Sequence, residues 1–187
     1  MIASEEFEKL TSLESEEYEC CVFKNCDFST SDFSRIKFLE CEFKDCNLSN
    51  VLMGGTSFLD SVFHSCKMLG IQFDHCNTIL FSATFNDCQL DHSSFYQMNL
   101  RQVDFQNSKL EGVDFTESDL KGIQLKNCDL LNAKFERTIL EETDFHGSFH
   151  LLLDPELNQV KKAKFSLSQL PGLLIKYNLK IDLKSKS

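Results

Sequence analysis

Large apolar residues recur at every fifth position through most of the chain. Steps of five from Phe23 to Phe73 all fall on Phe, Leu or Met, and after a shift of two residues the pattern resumes at Leu80 and continues to Phe145. The position two residues before each of these is small or β-branched, except at Met98, and the other three positions are mostly polar. A period of five fits neither the 3.6 residues of a helix turn nor the two-residue alternation of a flat strand.

This period predicts a chain that turns the same two positions inward in every block of five. Short extended sides joined by corners do so when successive coils stack about 4.8 Å apart through backbone hydrogen bonds. The small position predicts how many sides a coil has, because five cysteines recur there at spacings of 20, 20, 22 and 40 residues. These cysteines are Cys26, Cys46, Cys66, Cys88 and Cys128. We therefore expect four sides per coil and one column of cysteines along one face.

Several blocks resemble the pentapeptide-repeat family, whose consensus is A(D/N)LXX. They include Cys-Asp-Phe-Ser-Thr (26–30), Val-Asp-Phe-Thr-Glu (113–117) and Cys-Asp-Leu-Leu-Asn (128–132). The resemblance implies an all-β fold, a right-handed quadrilateral β-helix of about six coils over residues 20–150. Within it we expect the slip at 74–79 to be a structural kink, and Gly54-Gly55 to form a corner that needs positive φ.

The two ends depart from the repeat. Residues 1–19 are expected to form an N-terminal cap, and residues 151–187 a C-terminal capping or dimerisation segment. Ser168 to Tyr177 predicts a short amphipathic helix with Ser168 as N-cap and Pro171 in its first turn, and Leu179 to Ile181 predicts a short strand.

The segment from Asp154 to Ile181 resembles the tail of the Qnr-type quinolone-resistance branch of this family. That resemblance implies a homodimer built through the C-terminal helix and strand. The implied interface residues are Leu170, Leu173, Leu174, Tyr177, Leu179 and Ile181. The alternative is that the helix plugs the end of its own coil.

Composition and charge narrow the function. The 187 residues include 18 Phe, most of them in the repeated position, and the formal net charge is −10. An acidic body disfavours direct nucleic-acid binding, which normally uses a basic face. No apolar run approaches the roughly 18 residues of a membrane span, and the N-terminus lacks signal-peptide character, so we expect a cytoplasmic protein without a membrane anchor.

Catalytic chemistry is not predicted. The nine Cys include no CxxC pair, and most occupy the small inward position, where parallel stacking does not converge on a metal. None of the five His pairs with a Cys or Ser at a spacing typical of a nucleophile and its base. A rod filled by Phe and Leu offers no cleft, so we expect no enzyme activity, no cofactor and no metal.

Two functions remain. Resemblance to the Qnr-type branch implies a DNA mimic that binds DNA gyrase or topoisomerase IV and relieves quinolone inhibition. Residues 20–150 carry 19 acidic and 11 basic side chains, well below the roughly one charge per 1.7 Å of duplex DNA. The large projecting loops of that branch are also replaced here by a two-residue slip. The alternative is a structural or interaction scaffold with an unidentified protein partner.

Overall fold

The chain winds into a parallel, four-sided β-solenoid, of which residues 20–150 make about six turns. The computed structural model describes residues 1–180, apart from the side chain of Leu80. Residues 20 apart lie in adjacent coils, as shown by the pairs Phe23 with Phe43 and Phe43 with Phe63. The predicted period, side number and stacking are therefore confirmed.

Two of the four sides contain named strands, and the other two are joined mainly by isolated parallel bridges. The strands are β1 Ile2–Ala3, β2 Glu6–Glu8, β3 Glu17–Glu19, β4 Val22–Lys24, β5 Lys37–Leu39, β6 Glu42–Lys44, β7 Ser57–Leu59, β8 Ser61–His64, β9 Ala83–Asn86, β10 Val103–Gln106 and β11 Leu125–Lys126. One side is a four-stranded sheet in the order β1-β3-β5-β7, and the next is a seven-stranded sheet in the order β11-β10-β9-β8-β6-β4-β2.

Stacked Phe rings form the interior. Phe23, Phe43, Phe63 and Phe85 lie one above another with ring centroids 4.8–5.1 Å apart. Every large position predicted to be inward is buried, with the side chain of Leu80 outside the described ones. Because the rings repeat at the strand spacing, each coil contacts its two neighbours over their whole inner surface, which is the packing of a solenoid.

The coil corners use left-handed backbone. Nearly every fifth residue has positive φ, for example 53° at Asn25 and 57° at Asn50. Gly55 has φ 72°, as expected for the Gly54-Gly55 corner. Asn and Gly tolerate this region best, which explains why both recur at the corners.

The interruption differs in detail from the prediction. Thr78–Leu80 form a 3-10 turn, and Phe81 is the buried residue beside Phe58, at a centroid distance of 6.1 Å. Thr78, predicted to point inward, is exposed, because Cys76 already fills the small position of that side. Phe63 then pairs with Phe85 across 22 residues, so the frame is restored within a quarter of a coil.

Parallel pairing extends past both boundaries predicted for the β-helix. At the N-terminus, β1 pairs with β3 and β2 pairs with β4, so residues 2–8 form part of a first coil. At the other end, Asp144 bridges Lys164, and the Phe165 ring stacks on Phe145 at 5.2 Å.

The C-terminal helix is shorter than predicted. A 3-10 turn at Leu167–Gln169 leads into α1 (Leu170–Leu173), which is followed by a second 3-10 turn at Ile175–Tyr177. The capping residue is Ser166 rather than Ser168, because the Ser166 N–H donates to Gln169 Oε1 at 2.7 Å. Pro171 lies in the first turn of α1, where proline is tolerated. Gly172 contributes to the brevity of α1, since glycine has a low helix propensity. Leu179 and Lys180 form no regular strand, and Ile181 lies outside the described residues.

Candidate interaction surfaces

The interior column of cysteines confirms the predicted stacking. The thiols of Cys46 and Cys66 donate to the carbonyl oxygens of Phe23 and Phe43 in the preceding coil, both at 3.4 Å. Burial raises the pKa of Cys26 and Cys128 to about 11 and that of Cys41 to about 12. These three thiols remain protonated at neutral pH and hence are poor nucleophiles and poor metal ligands. Hydrogen bonding with Cys66 instead lowers the pKa of Cys46 and Cys88, and burial keeps both of these thiols from solvent.

The described residues do not converge on a metal or a catalytic group. In residues 1–180, no group of three or more His, Cys, Asp or Glu side chains is placed to hold a metal ion. His146 and His150 each lie 2.8 Å from a single aspartate, Asp144 and Asp129 respectively, on the exposed surface. Recesses of about 130–400 Å³ lie on the surface and are open to solvent.

The residues implied as a dimer interface separate into two groups. Leu173 is half-buried and packs against the core of its own coil. Leu170, Leu174, Tyr177 and Leu179 remain 37–56% exposed. Sequence analysis missed Ile175, which is 62% exposed, and Leu167, which is 84% exposed. Leu167 and Ile175 lie in the 3-10 turns on either side of α1. The sequence predicted one continuous helix instead, and therefore did not indicate that these two side chains are exposed.

Buried polar and close backbone contacts attach this segment to the solenoid. Gln169 is 5% exposed, and its Nε2 donates to the carbonyl oxygens of Phe145 and Ser148 at 2.6 and 2.8 Å. These bonds satisfy carbonyl groups at the end of the coil stack, where an unpaired group would be costly. The segment thus covers the end of its own rod with one side and presents exposed Leu, Ile and Tyr with the other.

An ion-pair cluster fixes the end of the segment. Lys176 Nζ lies 2.8 Å from Asp154 Oδ1 and 2.7 Å from Glu156 Oε2, and the Tyr177 hydroxyl donates to Glu156 Oε1 at 2.7 Å. The ammonium lowers the pKa of both carboxyls, and the carboxylates raise the pKa of Lys176.

Charge is distributed unevenly along the rod. Residues 1–95 contain 16 acidic and 6 basic side chains, whereas residues 96–187 contain 13 of each. In the second half, cations and carboxylates pair between adjacent coils, as in Arg101 with Asp119 at 2.6 Å and Lys121 with Glu141 at 2.8 Å. The whole net charge of −10 therefore resides in the N-terminal half.

These features agree with comparison of the sequence with known families. Residues 41–77 match the family described as pentapeptide repeats (8 copies), and residues 78–149 match the pentapeptide repeat region. Together the matches cover more than half of the chain. The chain belongs to the pentapeptide-repeat family. No curated protein matches it in sequence.

The fold is similar to that of QnrB1, a plasmid-mediated fluoroquinolone resistance protein. A trypsin-treated arginine-to-glutamate variant of QnrB1 has a TM-score of 0.63 and 18% identity, with 97% of each chain covered. A methionine-to-arginine variant has a TM-score of 0.50 and 19% identity, covering 97% of this chain and 98% of that one. At these identities the similarity demonstrates the pentapeptide-repeat fold alone. Among residues 1–180, no helix has the length and apolar character required to cross a membrane.

Proposed function

We propose that this protein is a non-catalytic DNA mimic that binds a type II topoisomerase, DNA gyrase or topoisomerase IV, and relieves its inhibition by quinolones. The charge of the N-terminal half carries the proposal. Residues 1–95 hold a net charge of −10 over roughly five coils, or about 24 Å at the strand spacing. Duplex DNA carries about 14 phosphates over that length. The net charge of residues 20–150 taken together does not show this difference between the acidic first half of the chain and the neutral second half.

The similarity to QnrB1 over 97% of both chains supports the same proposal, because it includes the C-terminal segment as well as the coils. The free thiols of all nine cysteines fit the reducing cytoplasm, where a topoisomerase partner would be met.

We further propose that two copies associate through the exposed C-terminal surface, formed by Leu170, Leu174, Ile175, Tyr177 and Leu179. A group of large apolar side chains that remain exposed next to one another is typical of a site where another protein binds. A two-fold dimer of this kind would place the acidic halves at the two outer ends.

Sedimentation analysis should give a dimer for the wild type and a monomer for Leu174→Asp/Ile175→Asp. The control Ile79→Asp changes an apolar residue that is even more exposed but lies elsewhere on the rod, and it should remain dimeric. A monomeric wild type would disprove this arrangement.

The function is tested by supercoiling with purified gyrase and ciprofloxacin while the protein is titrated in. We expect recovery of supercoiling at micromolar protein or below. The variant Glu40→Gln/Asp45→Asn/Asp87→Asn removes three exposed charges from the acidic half and should protect at least tenfold less well. The matched control Asp104→Asn/Glu136→Gln/Glu142→Gln removes three charges from the neutral half and should protect normally. Absence of both rescue and inhibition would contradict the topoisomerase proposal and leave a scaffold with another partner.

A further inference from the structure

The N-terminal end of the rod presents unpaired strand edges. β1 and β2 are the outermost strands of their sheets, and each pairs on one side only within residues 1–180. An edge strand exposes a row of backbone N–H and C=O groups that can accept another strand. Within residues 1–180, the free backbone groups of β1 and β2 can therefore accept one more parallel strand.

At the opposite edges of the same two sheets, other parts of the chain contact or continue the strands. The sheet of β1 ends at β7, next to the 3-10 turn Thr78–Leu80, which contacts β7. The sheet of β2 continues beyond β11 through bridges from Gln124 to Asp144 and from Asp144 to Lys164. That end then meets the segment containing α1, whereas the strands at the N-terminal end have no covering helix among the described residues.

Side chains at the open edge give it a definite chemistry. Glu6 and Glu8 point outward from β2 and are 61% and 57% exposed. Phe7, between them, points inward and stacks on Phe23 at 5.2 Å, yet it remains half-buried. It borders a recess of about 260 Å³ that Ile2 and Leu10 also line.

The surrounding charge is strongly negative. Residues 1–19 contain seven Glu and one Lys. A neutral strand laid on β2 would leave Glu6 and Glu8 with only their present partners, Lys24 and Lys9. An acidic strand, or a second copy of the same edge, would bring further carboxylates to about 4.8 Å and be repelled. A strand with cations at its outward positions would instead pair with Glu6 and Glu8, as Lys24 of the next coil already does with Glu6 at 2.7 Å.

We propose that this N-terminal edge binds a cationic, extended segment of a partner protein by strand addition. The segment alternates Lys or Arg with apolar residues, so that cations lie over Glu6 and Glu8 and an apolar side chain fills the recess beside Phe7. Backbone pairing supplies affinity and the carboxylates supply selectivity. The inference goes beyond the proposed topoisomerase binding because it concerns the backbone edge of β1 and β2, although Glu6 and Glu8 also contribute to the net charge of residues 1–95.

The test is fluorescence anisotropy with a labelled eight-residue peptide of alternating lysine and valine, titrated with the full chain. A peptide of the same composition with four lysines followed by four valines is the control for charge alone. We expect the alternating peptide to bind at least tenfold more tightly than the block peptide. Charge reversal by Glu6→Lys/Glu8→Lys should weaken its binding at least tenfold. The matched reversal Asp104→Lys/Glu136→Lys, within the rod, should change binding less than threefold.

Thermal melting of both variants checks that they fold, and Glu8→Gln, which leaves the Glu6 and Lys24 pair intact, should give an intermediate loss. Equal binding of the two peptides, or equal loss in the two reversed variants, would overturn the proposal by reducing it to general attraction. Absence of binding would overturn it as well. A peptide of residues 178–187 of this chain is a further probe. If it bound in an edge-dependent way and the alternating peptide did not bind, the occupant would be a second copy of this chain, and the proposal of a different partner protein would be wrong.

Discussion

Gly172 lies directly against the carbonyl oxygen of Leu151, so closely that a Cβ at position 172 would overlap that oxygen. The close approach lets the segment containing α1 settle onto the last coil, where the Leu153 N–H donates to the Gly172 carbonyl at 3.3 Å. A glycine is thus required here by space, since its φ is not in the left-handed region.

Replacing Gly172 by Ala should detach the C-terminal segment, because neither backbone partner can move aside without breaking other contacts. We expect a loss of about 2 kcal/mol and faster tryptic cleavage after Lys176, followed by mass spectrometry. Gly54→Ala is the control, since its Cβ would meet only the Ser34 side chain, at 3.1 Å from Oγ. If Gly172→Ala resisted trypsin as well as the wild type does, the C-terminal segment would be able to shift and accommodate the added methyl group.

Phe63 tests the stacked interior. It is fully buried between Phe43 and Phe85, with centroid distances of 4.9 and 5.1 Å. Phe63→Ala should reduce the free energy of unfolding in urea by about 3–5 kcal/mol, because a large cavity opens between rigid coils. Ile79→Ala, at a residue that is 86% exposed, should change it by less than about 0.5 kcal/mol. Similar losses in both variants would be inconsistent with this packing.

Sequence periodicity predicted the coil from particular residues, and failed where periodicity ended. The large residues at every fifth position from Phe23 to Phe73 form an unbroken pattern, so their burial followed from the spacing alone. The pattern placed Leu80 inward and gave no sign that Phe81 is buried, since both are large and apolar. It also placed Thr78 inward, where Cys76 fills the small position. Nor could it reveal the C-terminal surface, because the exposure of Ile175 depends on how Gly172 meets Leu151 in three dimensions.

Cysteine reactivity should distinguish one thiol from eight. Cys20 is exposed, and the other eight cysteines are buried. An aryl disulfide reagent should modify one thiol per chain rapidly, and the rest only on unfolding. Cys20→Ser should abolish the rapid phase, while Cys128→Ser should retain it. Partial desolvation and the Glu40 carboxylate raise the pKa of Cys20, so the rapid phase should accelerate as the pH rises above neutrality. Two or more rapid thiols in the wild type would refute the buried column.

The cluster around Lys176 should make the C-terminal segment sensitive to pH. The folded pKa values of Asp154 and Glu156 lie below their unfolded values, so their contribution to stability is complete above about pH 4 and is lost as the pH falls through the folded values. The folded pKa of Lys176 is raised, so its contribution is present below about pH 10.4 and is lost above the folded value.

Hydrogen exchange of residues 166–180, corrected for intrinsic rates, should therefore show weaker protection at about pH 3 than at neutral pH. Lys176→Met should remove most of that difference, whereas Lys109→Met, on a distant face, should preserve it. An unchanged pH dependence in Lys176→Met would assign the effect to other groups.

The restored register between Phe63 and Phe85 has a consequence for how such a protein can change over generations. A coil contacts only the coils above and below it, and each coil offers the same four large and four small inward positions. A duplication or deletion of 20 residues would consequently lengthen or shorten the rod by one step of about 4.8 Å and leave every surviving contact in place. Gene duplications or deletions of one coil would therefore change the distance between the acidic N-terminal end and α1 only in whole steps of one coil.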